Sequence, residues 1–135
     1  MAKLRLEFVT PERLIAHDEV DEVQLPLANG YAGVLPGHAP MLAALQTGQM
    51  WYRKGGETFF AFVSGGFVEV TGERVSVLAR IAERAEDIDL ERAEASKRRA
   101  EERVHRPSME IDAERARIAL LRAISRLDIA SRRRR

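Results

Sequence analysis

The sequence predicts a β + α protein: an N-terminal antiparallel β-sandwich or flattened barrel followed by a C-terminal antiparallel two-helix hairpin. Three observations predict it. Up to about residue 82, apolar residues alternate with polar ones at a period of two, between closely spaced turn signals. From residue 87 onward glycine disappears, and alanine, glutamate and arginine dominate at helical spacing. Charge divides the same way: residues 1–85 carry 8 basic and 10 acidic side chains, whereas 86–135 carry 14 and 11. The expected division is a sandwich domain over 1–85 and a helical arm over 86–135.

The strands come first. Leu4, Leu6 and Phe8 alternate with Lys3, Arg5 and Glu7, and Val23, Leu25 and Leu27 repeat the pattern, as half-buried strands do. Further strands are predicted over 49–54, 58–63, 67–70 and 74–81. Turns are expected at Asn29-Gly30, Gly55-Gly56, Gly65-Gly66 and Thr71-Gly72. Many short strands with no helix between them make a sandwich or barrel.

The helices follow. The first is predicted over 89–104, with Glu86, Asp87 and Asp89 placed to cap it and oppose its dipole. Residues 105–109, with Pro107, form the turn, and Asp112 and Glu114 begin a second helix running to about residue 130. So short a connection makes the two helices antiparallel neighbours. Their seam reads Leu90, Ala93, Lys97, Ala100 and Val104 on one side and Ala113, Ala116, Leu120, Ala123, Leu127 and Ala130 on the other. Alanine permits close approach but buries little. Only Leu90, Val104, Leu120 and Leu127 can each supply about 1.5–3 kcal/mol when buried, so the isolated hairpin is expected to be marginal.

Arginine forms two stripes: Arg92, Arg99 and Arg103 on the first helix, and Arg115, Arg122, Arg126 and Arg133 on the second. Such stripes either clamp phosphate, whose oxygens match the guanidinium fork, or form a solvated face paired with carboxylates such as Glu86, Glu91 and Glu94. Spacing alone leaves both open.

Composition excludes much else. The 135 residues include no cysteine, and 45% are hydrophobic, which removes disulfides, thiolate ligands and thiol nucleophiles. No apolar run is long enough to span a membrane, and the N-terminus lacks the apolar centre of a signal peptide. His17, His38 and His105 lack metal-ligand spacing, and no nucleophile elbow or phosphate loop appears. The chain is read as a non-enzyme. Two rival readings are an arginine-armed nucleic-acid module, to which the terminal 132–135 run would belong, and a small sandwich enzyme using His38.

Longer motifs point to a family. The segment Gly30-Tyr31-Ala32-Gly33-Val34-Leu35-Pro36-Gly37-His38-Ala39-Pro40 resembles the Gly-x-x-Gly-[Ile/Val]-x-Pro-Gly-His-x-Pro loop of the epsilon subunit of bacterial F-type ATP synthases. Ser64-Gly65-Gly66-Phe67-Val68-Glu69-Val70 is similar to that family's Ser-Gly-Gly strand, and Val9-Thr10-Pro11-Glu12 to its first turn. Ala82-Glu83-Arg84-Ala85-Glu86-Asp87-Ile88-Asp89 is similar to its inter-domain junction.

The resemblance implies a non-catalytic rotor subunit of the central stalk that couples proton-driven rotation to ATP synthesis. Its implied partners are the gamma subunit, the membrane c ring and, when the arm extends, the alpha and beta subunits, whose ATP hydrolysis the arm would hinder. Its implied place is peripheral, on the cytoplasmic face of the bacterial plasma membrane, with neither nucleic-acid binding nor membrane insertion. Tyr31 and His38 would lie at the subunit contact, with Tyr31 standing where many members carry glutamate. Ile88-Asp89-Leu90-Glu91-Arg92-Ala93 further resembles the [Ile/Leu]-Asp-x-x-Arg-Ala motif associated with ATP binding in some members. That resemblance implies an ATP site at Glu83, Ile88, Asp89, Arg92, Ala93, Arg99, Arg122 and Arg126. ATP would be a regulatory ligand, with no cofactor required.

Overall fold

The computed structural model describes residues 2–105 and 110–132. Eight strands come first: β1 (Leu4–Val9), β2 (Leu14–Val20), β3 (Glu22–Leu27), β4 (Gly30–Val34), β5 (Met41–Ala44), β6 (Gly48–Lys54), β7 (Glu57–Thr71) and β8 (Arg74–Arg84). A single 3₁₀ turn at Ala85–Asp87 leads into α1 (Leu90–His105) and α2 (Glu110–Ala130). The predicted sandwich followed by two helices is the fold observed. The expected turn residues 106–109 and the ends of two arginine runs, Arg133–Arg135, lie outside the described residues.

The strands follow the order β2-β1-β8-β7-β6-β3-β4, with β5 pairing to β7. Alternation does what it predicts: Leu4, Leu6 and Phe8 of β1 are fully buried and pack with Val23, Leu25, Met50, Val63, Val68 and Val77 in one core. Three features differ from the sequence reading. β1 runs parallel to β8, an arrangement that alternation cannot encode because it does not specify strand partners. β2, β4 and β5 are additional strands, and β4 occupies the start of the segment read as a loop.

The third difference is at Gly65-Gly66, which is no turn. The strands expected over 58–63 and 67–70 are one strand, β7, whose pairing with β8 keeps its register through Ser64↔Ile81 and Gly66↔Ala79. The glycines let it cross closely over β8. Gly66 has φ +117°, and a Cβ there would stand 1.9 Å from the Leu78 carbonyl oxygen. Any side chain would therefore force the strands apart. On either side of this point β7 changes its second partner, from β6 to β5.

The hairpin is joined along alanines. Ala93 and Ala100 of α1, and Ala116, Ala123 and Ala130 of α2, are buried, while Lys97, Val104, Leu120 and Leu127 are half-buried. Leu90 departs from the predicted seam, being 41% exposed. Ile88, just before the helix, takes the buried position beside the sandwich instead. α2 also begins at Glu110, two residues earlier than expected, since acidic residues favour a helix's whole first turn and do not mark its first residue.

A polar knot ties the N-terminal strand to the β6–β7 turn. Asp21 accepts hydrogen bonds from Lys3 Nζ and from the Gly55 amide (2.8 Å), and Arg53 Nη1 stands 3.6 Å away. These donors, the Lys3 ammonium foremost, hold the Asp21 carboxyl below its ordinary value of 3.8. A carboxyl depressed by folding contributes stability above its unfolded value, and loses it as pH falls through the folded value. Asp21→Asn should therefore destabilise the sandwich near neutral pH. Denaturant unfolding at pH 6 and at pH 3 should show the gap between wild type and variant narrowing in acid; an unchanged gap would show that the knot does not couple to folding.

Candidate functional site

Between the end of the sandwich and the hairpin lies a cleft of about 330 Å³, lined by Glu83, Asp87, Ile88, Asp89, Arg92, Ala93, Ser96, Arg99 and Arg126. β8 and the turn after it supply the acidic wall, and both helices supply the basic one. The local geometry follows from a helix start. Asp89 Oδ1 accepts the Arg92 amide at 3.1 Å, and its carbonyl accepts the Ala93 amide at 2.9 Å. Asp89 is thus the N-cap expected of it. One turn into α1, Arg92, Ser96 and Arg99 follow at spacings of four and three, which keeps them on the side facing the cleft.

The floor is apolar. Phe62, Ala85, Ile88, Ala93, Ile129 and Ala130 form a second small core, with Phe60 and Leu127 packed against it. Phe60 and Phe62 point outward from β7, while Ala61 and Val63 point into the sandwich. The last turns of α2 seat on this outer face. Arg126 Nε donates to Glu83 Oε1 at 2.6 Å, and the Arg126 guanidinium lies 4.6 Å from the centroid of Phe62. Arg132 stands 5.4 Å over Phe60.

The cleft carries positive charge that its own carboxylates leave unneutralised. Asp87 faces Arg84 at 3.4 Å and Arg13 at 3.9 Å, Asp89 is engaged with backbone, and Glu83 with Arg126. Arg99 Nη2 donates to Ser96 Oγ at 3.1 Å. Among the described residues, neither Arg92, Arg99 nor Arg122 has a carboxylate partner. The pairs with Glu86, Glu91 and Glu94 that a solvated face would use do not form. Arg122 lies one turn before Arg126 on α2, outside the cleft's lining, and its Nε is buried with no acceptor. An unpaired buried guanidinium N–H is costly.

The residues expected at a subunit contact lie elsewhere. Tyr31, on the outward face of β4, is 60% exposed; its hydroxyl accepts the Gln49 amide at 3.4 Å and lies above Gly48, where a Cβ would come within 3.0 Å of it. His38 Nδ1 contacts the Ala39 carbonyl at 2.6 Å, so that nitrogen carries the proton. No nucleophile or carboxylate touches the ring among the described residues, and no metal-binding cluster is found there. Sequence reasoning missed Ser96, Asp87 and Phe62. Ser96 could have been found from its i+4 spacing to Arg92, but Phe62 reads only as a strand residue.

A sandwich carrying a two-helix arm with a basic cleft at their junction matches two adjoining family models. Residues 3–85 match the ATP synthase delta/epsilon chain beta-sandwich domain, and 86–131 its long alpha-helix domain. The chain belongs to the delta/epsilon chain family of ATP synthases, as its motifs imply. It is 50% identical over 131 residues to the ATP synthase epsilon chain of Desulforamulus reducens, covering 96% of this chain and 99% of that one. Identity to the epsilon chain of Nitratidesulfovibrio vulgaris is 48%, covering 93% and 94%, and to that of Bacillus velezensis 43%, covering 96% and 98%. The same fold occurs in a chain of the Euglena gracilis mitochondrial ATP synthase OSCP/F1/c-ring structure, with TM-score 0.82 at 24% identity over 93% of this chain and 79% of that one. A chain of the Tetrahymena thermophila central stalk and c-ring structure gives 0.56 at 14%, covering 97% and 94%.

The Glu83–Arg126 pair is mostly shielded, with side chains 29% and 25% exposed, and Arg126→Ala would leave Glu83 facing the apolar floor without its cation. The expected loss is about 1–2 kcal/mol in hairpin docking. Amide exchange across α2 should accelerate accordingly while β1 and β2 stay protected.

Proposed function

We propose that this chain is a non-catalytic central-stalk subunit of a bacterial ATP synthase whose helical arm binds ATP in the cleft and thereby regulates hydrolysis. The carrying observation is that Arg92 and Arg99 line the cleft beside Arg126 and have no carboxylate partner among the described residues. Arg92, Arg99, Arg122 and Arg126 would receive the phosphates; Ile88 and Ala93 would bound the adenine, and Glu83 and Asp89 would accept hydrogen bonds from the nucleoside. ATP is a regulatory ligand here, and no cofactor is needed.

The sandwich supplies the assembly surfaces. An apolar groove of about 680 Å³ is lined by Val9, Pro11, Leu45, Phe67 and Leu78 among others, with Phe67 57% and Leu78 53% exposed. Exposed apolar area of this kind marks an interaction surface, and gamma is the proposed occupant. Tyr31 and His38 would meet the c ring. The arm, when extended, would bring its basic face to the alpha and beta subunits. No helix among the described residues is long and apolar enough to cross a membrane; the place proposed for the chain is peripheral, on the cytoplasmic face.

Ligand binding to the folded hairpin alone would stabilise it by about 2.7 kcal/mol at a hundredfold excess over the dissociation constant. Millimolar ATP should therefore raise the melting temperature of the helical signal, and Arg92→Ala or Arg122→Ala should reduce the rise. Equal melting curves with and without ATP at fixed ionic strength would remove the site. In the assembled synthase, deleting residues 89–135 should raise ATP hydrolysis at low ATP and spare coupled synthesis. Hydrolysis unchanged at every ATP concentration would remove the inhibitory role.

A further inference from the structure

Arg126 is constrained on two sides before any ligand arrives. Its Nε donates to Glu83 Oε1 at 2.6 Å, and its guanidinium carbon Cζ lies over the ring of Phe62, 4.6 Å from the centroid of that fully buried ring. A guanidinium donates in its plane and stacks through its face. Glu83 thus engages the Nε edge and the Phe62 ring lies under Cζ, which leaves the Nη groups without either partner on a residue that lines the cleft. A long arginine side chain ordinarily loses much rotamer freedom on meeting a phosphate; here the ion pair and the ring contact restrict it in advance.

We infer that Phe62 is a positioning residue for the phosphate-bearing ligand of the cleft: its ring face sets the plane of Arg126 so that the Nη groups point at the phosphate oxygens. This rests on the nucleotide reading above. Phe62 touches the ligand through Arg126 alone, so its contribution should depend on that arginine. The ring is also the floor of the small core beneath the hairpin, and the test has to separate the two roles.

Calorimetric titration of the full chain with ATP is the experiment, on wild type, Phe62→Leu, Phe62→Tyr, Arg126→Ala and the Phe62→Leu/Arg126→Ala double variant. The leucine keeps an apolar floor and removes the ring; the tyrosine keeps the ring. Phe62→Leu should weaken ATP binding about five- to tenfold, Phe62→Tyr should restore it to within about twofold of wild type, and the double variant should bind no worse than Arg126→Ala. In parallel, with no nucleotide present, the Arg126 side-chain proton resonances should be shifted upfield by the ring current in wild type and Phe62→Tyr, and unshifted in Phe62→Leu. Unshifted wild-type resonances would overturn the stack. Shifted resonances with equal ATP affinity in Phe62→Leu would overturn the ligand role, and additive losses in the double variant would reassign Phe62 to packing. Wild type failing to bind ATP while the resonances are shifted would remove the nucleotide site, and this role with it, and leave the stack as an anchor of the arm.

Discussion

Burial of β7 on both faces is the constraint on which the rest of the structure depends. Most strands here alternate between core and solvent, but around Phe60 to Val63 one face closes the sandwich and the other receives the helices. That stretch has no solvent side, so it reads as a continuous apolar run, as doubly covered strands do. Phe62 is the hinge of the arrangement: buried completely, it is simultaneously the floor of the second core and the aromatic surface under Arg126. The arm is thereby held to the sandwich by a small apolar contact and two arginine stacks.

Small contact areas have a dynamic consequence. Alanines along the seam bring α1 and α2 close, yet each contributes little burial, and Leu90 contributes less than its place in the pattern suggests. Close approach also brings Arg92 and Arg99 of α1 and Arg126 of α2 to one cleft. Bringing cations together opposes folding, and among the described residues only Arg126 recovers that cost through a carboxylate inside the cleft. A hairpin so balanced can be shifted by a single bound anion of ordinary affinity. The same composition therefore accounts for both the weakness of the arm and the charge that would answer to a ligand.

The sandwich is organised differently. Its core is continuous, charged groups are tied in the Asp21 knot, and exposed Phe67 and Leu78 line one apolar groove. A rigid body with an apolar groove suits a permanent attachment, whereas a loosely docked arm suits a part that moves. Gly66 shows how far that rigidity is built into the backbone, since β7 can cross β8 only where no Cβ intervenes.

Local chemistry alone determined the strands that bury one face, the glycine turns other than Gly65-Gly66, the alanine seam and the Asp89 cap, because each depends on residues adjacent in sequence or one helical turn apart. Spacing also placed Arg92 and Arg99 on one side of α1 and Arg122 and Arg126 on one side of α2. Only the tertiary structure decided what those arginines face. Whether Arg92 meets Glu91, solvent or a cleft is a question of which surfaces pack, and packing joins β8, the 3₁₀ turn and two helices across 43 residues from Glu83 to Arg126. The parallel β1–β8 pair, the uninterrupted β7 and the exposure of Leu90 were illegible for the same reason: alternation and periodicity state which side of an element is apolar, and carry no information about the element that will cover it.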